Sequence, residues 1–277
     1  MSAVRLPQTR VEKPWGRLNL WPGFADPAPD APPVGEIWFG ESGAGALMVK
    51  YIFTSERLSI QVHPDDAQAR AAGHQSGKDE AWVILAAEPG STIALGTTHP
   101  VSRDTLRAAA IDGSIEALMD WKPVHAGDVI YSPAGTVHAI GAGITLIEIQ
   151  QNIDLTYRLY DYGRARELHL AEGIAVSDPV PFALQDWSIE AAPGRIILAH
   201  GGKFVLERWQ WAGARGISLP RTVPAWFVPV AGTGTLDGHA FAAGECWSIE
   251  AEAQIALADG CDVLFAYPLA DPIDMFD

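Results

Sequence analysis

The stretch Arg57-Leu58-Ser59-Ile60-Gln61-Val62-His63-Pro64-Asp65-Asp66 alternates apolar and polar residues and then stops at a proline. A period of two is that of a β-strand with one face on a core and the other on something polar. Residues i and i+2 of a strand project to the same side, so Gln61 and His63 converge on one point. Pro64-Asp65-Asp66 then opens a short helix through Ala72, with Asp65 as N-cap and Gly73 as terminator.

The same alternation of strand and turn extends outward. Val34 to Gly40 has strand character, and Ala46 to Phe53 is an apolar run containing Lys50, of a length suited to a buried strand. Ala81 to Ala86 is strand, and Val124 to Gln151 is strand, turn and strand. Between them, Leu106, Ala109, Ala110, Ile115, Leu118 and Met119 follow a helical period, which Asp112-Gly113 divides into two short helices. The start, with a Pro-rich stretch to Pro33, predicts loops and short strands covering one end of a barrel. Past Asp178, Pro179 to Pro193 looks like a connector. Ile196 to Pro268 is a series of apolar strands punctuated by Gly, a second and smaller β-barrel.

With 27 Gly and 20 Pro in 277 residues, turns are frequent, which favours many short strands over long helices. The expectation is a mainly β chain with a first barrel over 1–178, a connector over 179–195 and a degenerate second barrel over 196–277. Ala126-Gly127-Asp128-Val129-Ile130 is echoed by Ala243-Gly244-Glu245-Cys246-Trp247. Aligned without a gap, His138 falls opposite Ile255, so a duplicated second barrel has lost that histidine.

Composition narrows the partners. The net charge of −15 excludes a broad nucleic-acid surface, which needs clustered Lys and Arg. A phosphorylated metabolite stays compatible if a few cations gather in one cleft. Cys246 and Cys261 form no CxxC pair or zinc-ribbon spacing and read as two buried thiols of a reducing compartment. No apolar run of about 18 residues could span a bilayer, and residues 1–16 have no signal-peptide core. The expected location is cytoplasmic, with no membrane partner; the oligomeric state is not readable.

Three segments can line one barrel interior. Gln61 and His63 come from the first, Glu80 from Gly77-Lys78-Asp79-Glu80, and His138 from the turn Ser132-Pro133-Ala134-Gly135-Thr136-Val137. Two imidazoles, a carboxylate and an amide oxygen suit Zn²⁺ with room for water or substrate. By ligand softness Fe²⁺, Mn²⁺ or Ni²⁺ fits as well. A lone strand histidine equally serves as a hydrogen-bonded core residue, and Asp65 and Asp66 serve as helix caps.

The run Leu58 to Asp66 is similar to the signature of type I phosphomannose isomerases. So are Gly77-Lys78-Asp79-Glu80-Ala81-Trp82 and the block from Gly127-Asp128 through Pro133 to Ile140. A fourth block is Ile147-Glu148-Ile149-Gln150-Gln151-Asn152 with Asp154 to Arg164. In order, the blocks cover roughly residues 10–170. The resemblance, to the short bacterial form, implies tandem cupin (jelly-roll) barrels and one Zn²⁺ on Gln61, His63, Glu80 and His138. It also implies a catalytic arginine at Arg158 and interconversion of mannose 6-phosphate and fructose 6-phosphate through a cis-enediolate. Asp79 departs from the family's commoner hydroxyl, and the long helical insertion of larger members is absent.

Other residues take roles around that set. Lys78, two residues before Glu80, could bind phosphate or an enediolate oxygen, or move a proton if desolvation lowers its pKa. Glu148 is a candidate base or a partner that orients a ligand. Arg158 could bridge an oxyanion or phosphate, or form an ion pair with Asp154 or Asp161. Arg164 is a further phosphate candidate. A cupin oxygenase with two His and a carboxylate around Fe²⁺, and a non-catalytic sugar-binding cupin, are the competing functions; Gln61 and the Arg158 block favour the isomerase.

Overall fold

In the strand Glu80–Ala87, Trp82 and Ile84 pack into one core cluster and Ala81 and Val83 into another. Both faces of this strand are therefore buried, and the pattern repeats in Leu47–Phe53 and Ile144–Gln151. An antiparallel sheet usually shows water one face. Here the second face packs on another sheet, which is why these strands read as continuous apolar runs.

The computed structural model describes residues 3–276. Among these are 22 strands and four short helices, in four sheets. The six-stranded sheet runs Gln8–Arg17, Val34–Phe39, Leu47–Phe53, Ile144–Gln151, Glu80–Ala87, Val129–Ser132. Against it lies a five-stranded sheet: Tyr157–Tyr160, Ile60–Val62, His138–Ile140, Thr92–Thr97, Met119–Pro123. Trp15, Ile52, Trp82, Ile93, Leu95 and Ile140 fill the space between them, forming the first barrel.

The second barrel repeats this plan. Its seven-stranded sheet runs Ala3–Arg5, Trp247–Ile249, Ala225–Ala231, Asp262–Tyr267, Val205–Trp209, Arg195–Ala199, Ile189–Ala192. The order Gly213–Ser218, Glu252–Leu257, Thr233–Leu236, His239–Ala242 makes its smaller sheet. Read from opposite ends, the two large sheets match strand for strand from Gln8–Arg17 and Ile189–Ala192 onward. His138 pairs with Gln61 and Leu95, and Ile255 pairs with Arg215 and Leu236. Ile255 thus occupies the histidine's place, buried among Trp209, Phe227 and Phe265.

The large sheets pack back to back through Tyr51, Phe53, Ile147 and Ile149 on one side and Leu206, Trp226, Val228 and Leu264 on the other. On the far side, the five-stranded sheet is covered by Arg103–Asp112, Ile115–Leu118 and Leu170–Val176. Gly113, at φ +85°, separates the first two helices, and Asp65 and Gln68 form a capping box at Asp66–Ala71.

Some boundaries differ from the sequence reading. In the opening segment the strand is longer than expected: Gln8–Arg17 spans ten residues, and turns and loops follow it to Pro33. It lies at a sheet edge with Gln8, Thr9 and Arg10 exposed, so apolar alternation is missing from its first half. The segment beginning at Arg57 joins the ladder only at Ile60–Val62. The connector carries a strand, Ile189–Ala192, at the edge of the seven-stranded sheet.

Candidate active site

Alternation places one polar group after another inside the first barrel. On Leu47–Phe53 the outward residues are Val49, Tyr51 and Phe53, so Lys50 points inward with Ile52. Trp38, Lys50, Glu148 and Trp82 are direct cross-strand neighbours. Lys50 Nζ lies 3.4 Å from Glu148 Oε1 and 4.6 Å from the Trp38 ring centre. Trp82 Nε1 donates to Glu148 Oε2 at 3.1 Å.

His63, Glu80 and His138 meet at the floor of this interior, all buried, with one donor atom of each within 4.8 Å of the others. Each ring is fixed by its other nitrogen. His63 Nδ1 lies 2.8 Å from the Leu155 carbonyl, and His138 Nδ1 lies 2.9 Å from that of Thr136. A carbonyl only accepts, so each Nδ1 carries the hydrogen and each Nε2 presents a lone pair. Those lone pairs face Glu80, at 3.2 Å from Oε1 and 3.5 Å from Oε2. Neither oxygen accepts a backbone hydrogen bond among the described residues, and the close cation is Lys78.

Lone pairs turned toward one another in a buried space are repulsive unless a cation lies between them. Lys78 supplies one positive charge, its Nζ 2.6 Å from Glu80 Oε1 and 3.5 Å from His63 Nε2. Burial and the Lys78 charge hold His63 neutral, its pKa down to about 3, and burial also lowers His138. Burial opposes ionisation of Glu80, but the Lys78 charge beside it outweighs this and holds its carboxyl well below the usual range. Burial likewise opposes the Lys78 charge, yet Glu80 and Glu148 raise its pKa overall. Two neutral imidazoles and an ionised carboxylate are the protonation states a divalent metal requires. The residues present fit such an ion.

A small cavity, open to solvent, lies above them. Gln61, Lys78, Glu148 and Arg158 line it, together with Lys13, Glu36, Lys50, Asp154 and Arg166. Gln61 turns its amide nitrogen to His138 Nε2 at 3.3 Å, while its oxygen lies 3.1 Å from the Ser59 hydroxyl. Arg158 sits beside Gln61 in the ladder, with Tyr157 and Leu159 turned to the helices. Burial, then the nearby Glu80 charge, raises the Glu148 pKa. Glu36 is lowered despite burial, because Lys50 and Lys13 approach it.

Arg164 does not line the cavity. Its guanidinium donates to Asp161 at 2.7 and 3.1 Å and to the Arg57 carbonyl at 2.7 Å. Arg166, overlooked in the sequence, reaches both Asp161 and the cavity wall. Lys13, Glu36 and Lys50 were also missed as site residues. The available signal was a single lysine inside the otherwise apolar run Leu47–Phe53.

Two back-to-back barrels, with a buried His–Glu–His cluster in the first, define a tandem cupin whose site can hold one metal ion. No family model matches the chain. It is 34% identical over 213 residues to a mannose-6-phosphate isomerase of Streptococcus mutans, covering 72% of this chain and 65% of the relative. It is 39% identical over 137 residues to mannose-6-phosphate isomerase ManA of Bacillus subtilis, covering 47% and 43%. The alignments thus span between 43% and 65% of these curated relatives' length. The crystal structure of a mannose 6-phosphate isomerase from Bacillus subtilis superposes with TM-score 0.81 at 23% identity, covering 96% of this chain and 99% of the other. A zinc-bound mannose 6-phosphate isomerase superposes at 0.72 with 15% identity, covering 97% and 100%. In sequence the chain is similar to mannose-6-phosphate isomerases, and it shares the fold of the solved ones.

Proposed function

We propose that this chain is an aldose–ketose isomerase interconverting mannose 6-phosphate and fructose 6-phosphate through a cis-enediolate. One zinc ion per chain would be held by His63, Glu80 and His138, and by Gln61 with its amide oxygen turned inward. The observation that carries this reading is the convergence of two imidazole lone pairs on the buried carboxylate of Glu80, below a cavity lined by cations. The relatives named above supply the reaction, and the zinc-bound one supplies the ion. Zinc bound there would stabilise negative charge developing on sugar oxygens.

The chain's own groups can share the remaining work. Glu148 is buried with a raised pKa, which suits proton transfer between C1 and C2 near neutral pH. Trp82 Nε1 fixes one of its oxygens and Lys50 balances its charge. Lys78 keeps its proton and donates to an enediolate oxygen. Arg158 presents a forked cation at the cavity wall to an oxyanion or the phosphate, with Arg166 adding a second. Trp15, Trp38 and Ile140 line the same cavity and limit access of water.

In this reading residues 1–178 carry the chemistry, 179–195 connect, and 196–277 brace the first barrel. Both cysteines are free and buried, which suits a reducing cytoplasmic setting. Among the described residues no helix is long and apolar enough to cross a membrane. The test is a coupled assay: zinc-loaded protein with mannose 6-phosphate, following fructose 6-phosphate. Product from the loaded protein and none from the chelated protein is expected. No product from loaded protein, or full turnover without metal, overturns the proposal.

A further inference from the structure

The three ligands of the centre sit on three separate segments, joined by backbone hydrogen bonds such as Lys78 N to the Pro64 carbonyl and Gly135 N to the His63 carbonyl. Two carboxylates add side-chain ties between the same segments. Asp66, three residues after His63, accepts from Gly77 N at 2.8 Å and from Gln151 Nε2 at 3.0 Å. Asp79, the neighbour of Glu80, accepts from Ala134 N at 3.0 Å, in the turn that precedes His138. It also accepts from the Tyr131 hydroxyl at 2.7 Å. Gln151 joins the two, because Asp79 N donates to its Oε1 at 3.0 Å.

One residue of the second barrel closes this network. Lys203 Nζ reaches Asp66 Oδ2 at 2.7 Å, and Lys203 N donates to the Tyr131 hydroxyl at 2.8 Å. The approach demands glycine before it: a Cβ on Gly202 would fall 2.1 Å from that hydroxyl. The segments are equally close elsewhere, since a Cβ on Gly77 would lie 2.4 Å from the Asp65 carbonyl carbon. Lys203 therefore touches both carboxylate hubs, one directly and one through Tyr131, from a barrel with no metal cluster of its own among the described residues.

We propose that Lys203, with Asp66 and Asp79, is a positioning residue for the metal centre and sets how tightly His63, Glu80 and His138 hold their ion. This rests on the metal reading given above. The ligands converge on one ion only when the three segments stay in register, so loosening one of them lowers affinity without removing a ligand. An aspartate at 79, rather than a hydroxyl, gives the turn before His138 and Tyr131 a charged acceptor with two oxygens to share.

The test measures release of zinc from the loaded full-length chain to excess chromophoric chelator, alongside thermal unfolding of the metal-free protein. Lys203→Ala is expected to release zinc about 3- to 5-fold faster, since the Lys203–Asp66 pair is partly exposed. Lys203→Arg should restore most of the wild-type rate. Asp66→Asn, which weakens the junction of three donors, should release zinc about 10-fold faster. Lys122→Ala, an ion-pair lysine on the Met119–Pro123 strand, serves as control and should match wild type. Wild-type rates in both Lys203→Ala and Asp66→Asn would overturn the inference while leaving the metal reading intact. Failure of the wild-type chain to bind zinc at all would overturn the metal reading itself.

Discussion

Lys78 Nζ lies 2.6 Å from Glu80 Oε1, inside the same buried space that both imidazole Nε2 atoms face. The lysine thus balances the carboxylate's charge where a metal ion would also balance it. Lys78→Met removes that balance and leaves Glu80 buried and uncompensated in metal-free protein. The expected loss is about 3–5 kcal/mol of metal-free stability. Zinc should recover most of it, so the zinc-induced rise in Tm is larger in Lys78→Met than in wild type. An equal rise in the two proteins would show that lysine and metal do not share the site.

The centre itself is checked by elemental analysis. One divalent ion per chain is expected, lost on chelation together with turnover and restored by zinc. His138→Ala should lose zinc and activity, because it removes one of the two imidazoles and leaves a weaker set with a single nitrogen donor. A second full-occupancy ion in the 196–277 barrel would contradict the burial of Ile255 in the histidine's place.

Arg158 separates chemistry from fold. Its side chain lines the cavity, whereas Tyr157 and Leu159 anchor the strand against the helices. Arg158→Ala should lower kcat by about 10²–10³ while zinc content and Tm stay near wild type. Arg158→Lys keeps the charge and loses the fork, and should fall between the two. Near-normal kcat in Arg158→Ala would assign the role elsewhere, with Arg166 the next residue to remove.

In the second barrel, Arg195 donates twice to Glu207, at 2.8 and 2.7 Å, and Glu207 also accepts from Trp209 and Tyr267. Both members of the pair are buried. Arg195→Ala strands a buried carboxylate, and urea unfolding should report a loss of about 3–5 kcal/mol. Activity per folded molecule should change little, since no residue of this pair lines the cavity.

Acid sensitivity follows from Asp66. Burial opposes its charge, but hydrogen bonds from Lys203, Gln151 and Gly77 pull its pKa down to about 2. A folded pKa below the unfolded one gives stability that is complete above about pH 4 and lost as pH falls through about 2. The difference in Tm between wild type and Asp66→Asn should therefore be constant from pH 7 to 5 and shrink below pH 4. A difference independent of pH would assign the effect to packing.

His63, Glu80 and His138, which the structure brings together, lie in blocks that the resemblance singled out, whereas their spacing alone left a structural role equally open. Lys50, Glu36 and Lys13 have no such marker. They become neighbours only when Gln8–Arg17, Val34–Phe39 and Leu47–Phe53 pair, and their inward direction depends on a register that no local spacing states. Arg164 and Arg166 differ by two positions, and the sequence does not say which of them Asp161 leaves facing the cavity. The duplicated plan was legible in one short echo, since matching strands keep their order while their side chains have diverged. Gln8–Arg17 was obscured by its edge position, where exposed polar residues replace the alternation a buried strand shows.

The pairing of Ala3–Arg5 with Trp247–Ile249 joins residues nearly the whole chain apart, Ala3 opposite Ile249. During synthesis the first strand emerges without a partner, and its ladder cannot form until the chain beyond residue 249 has been made. At a typical pace of about 5–20 residues per second, that wait lasts roughly 12–50 s. That edge of the seven-stranded sheet is therefore closed by a strand made long before its partner, and it stays open until the distant half of its ladder arrives.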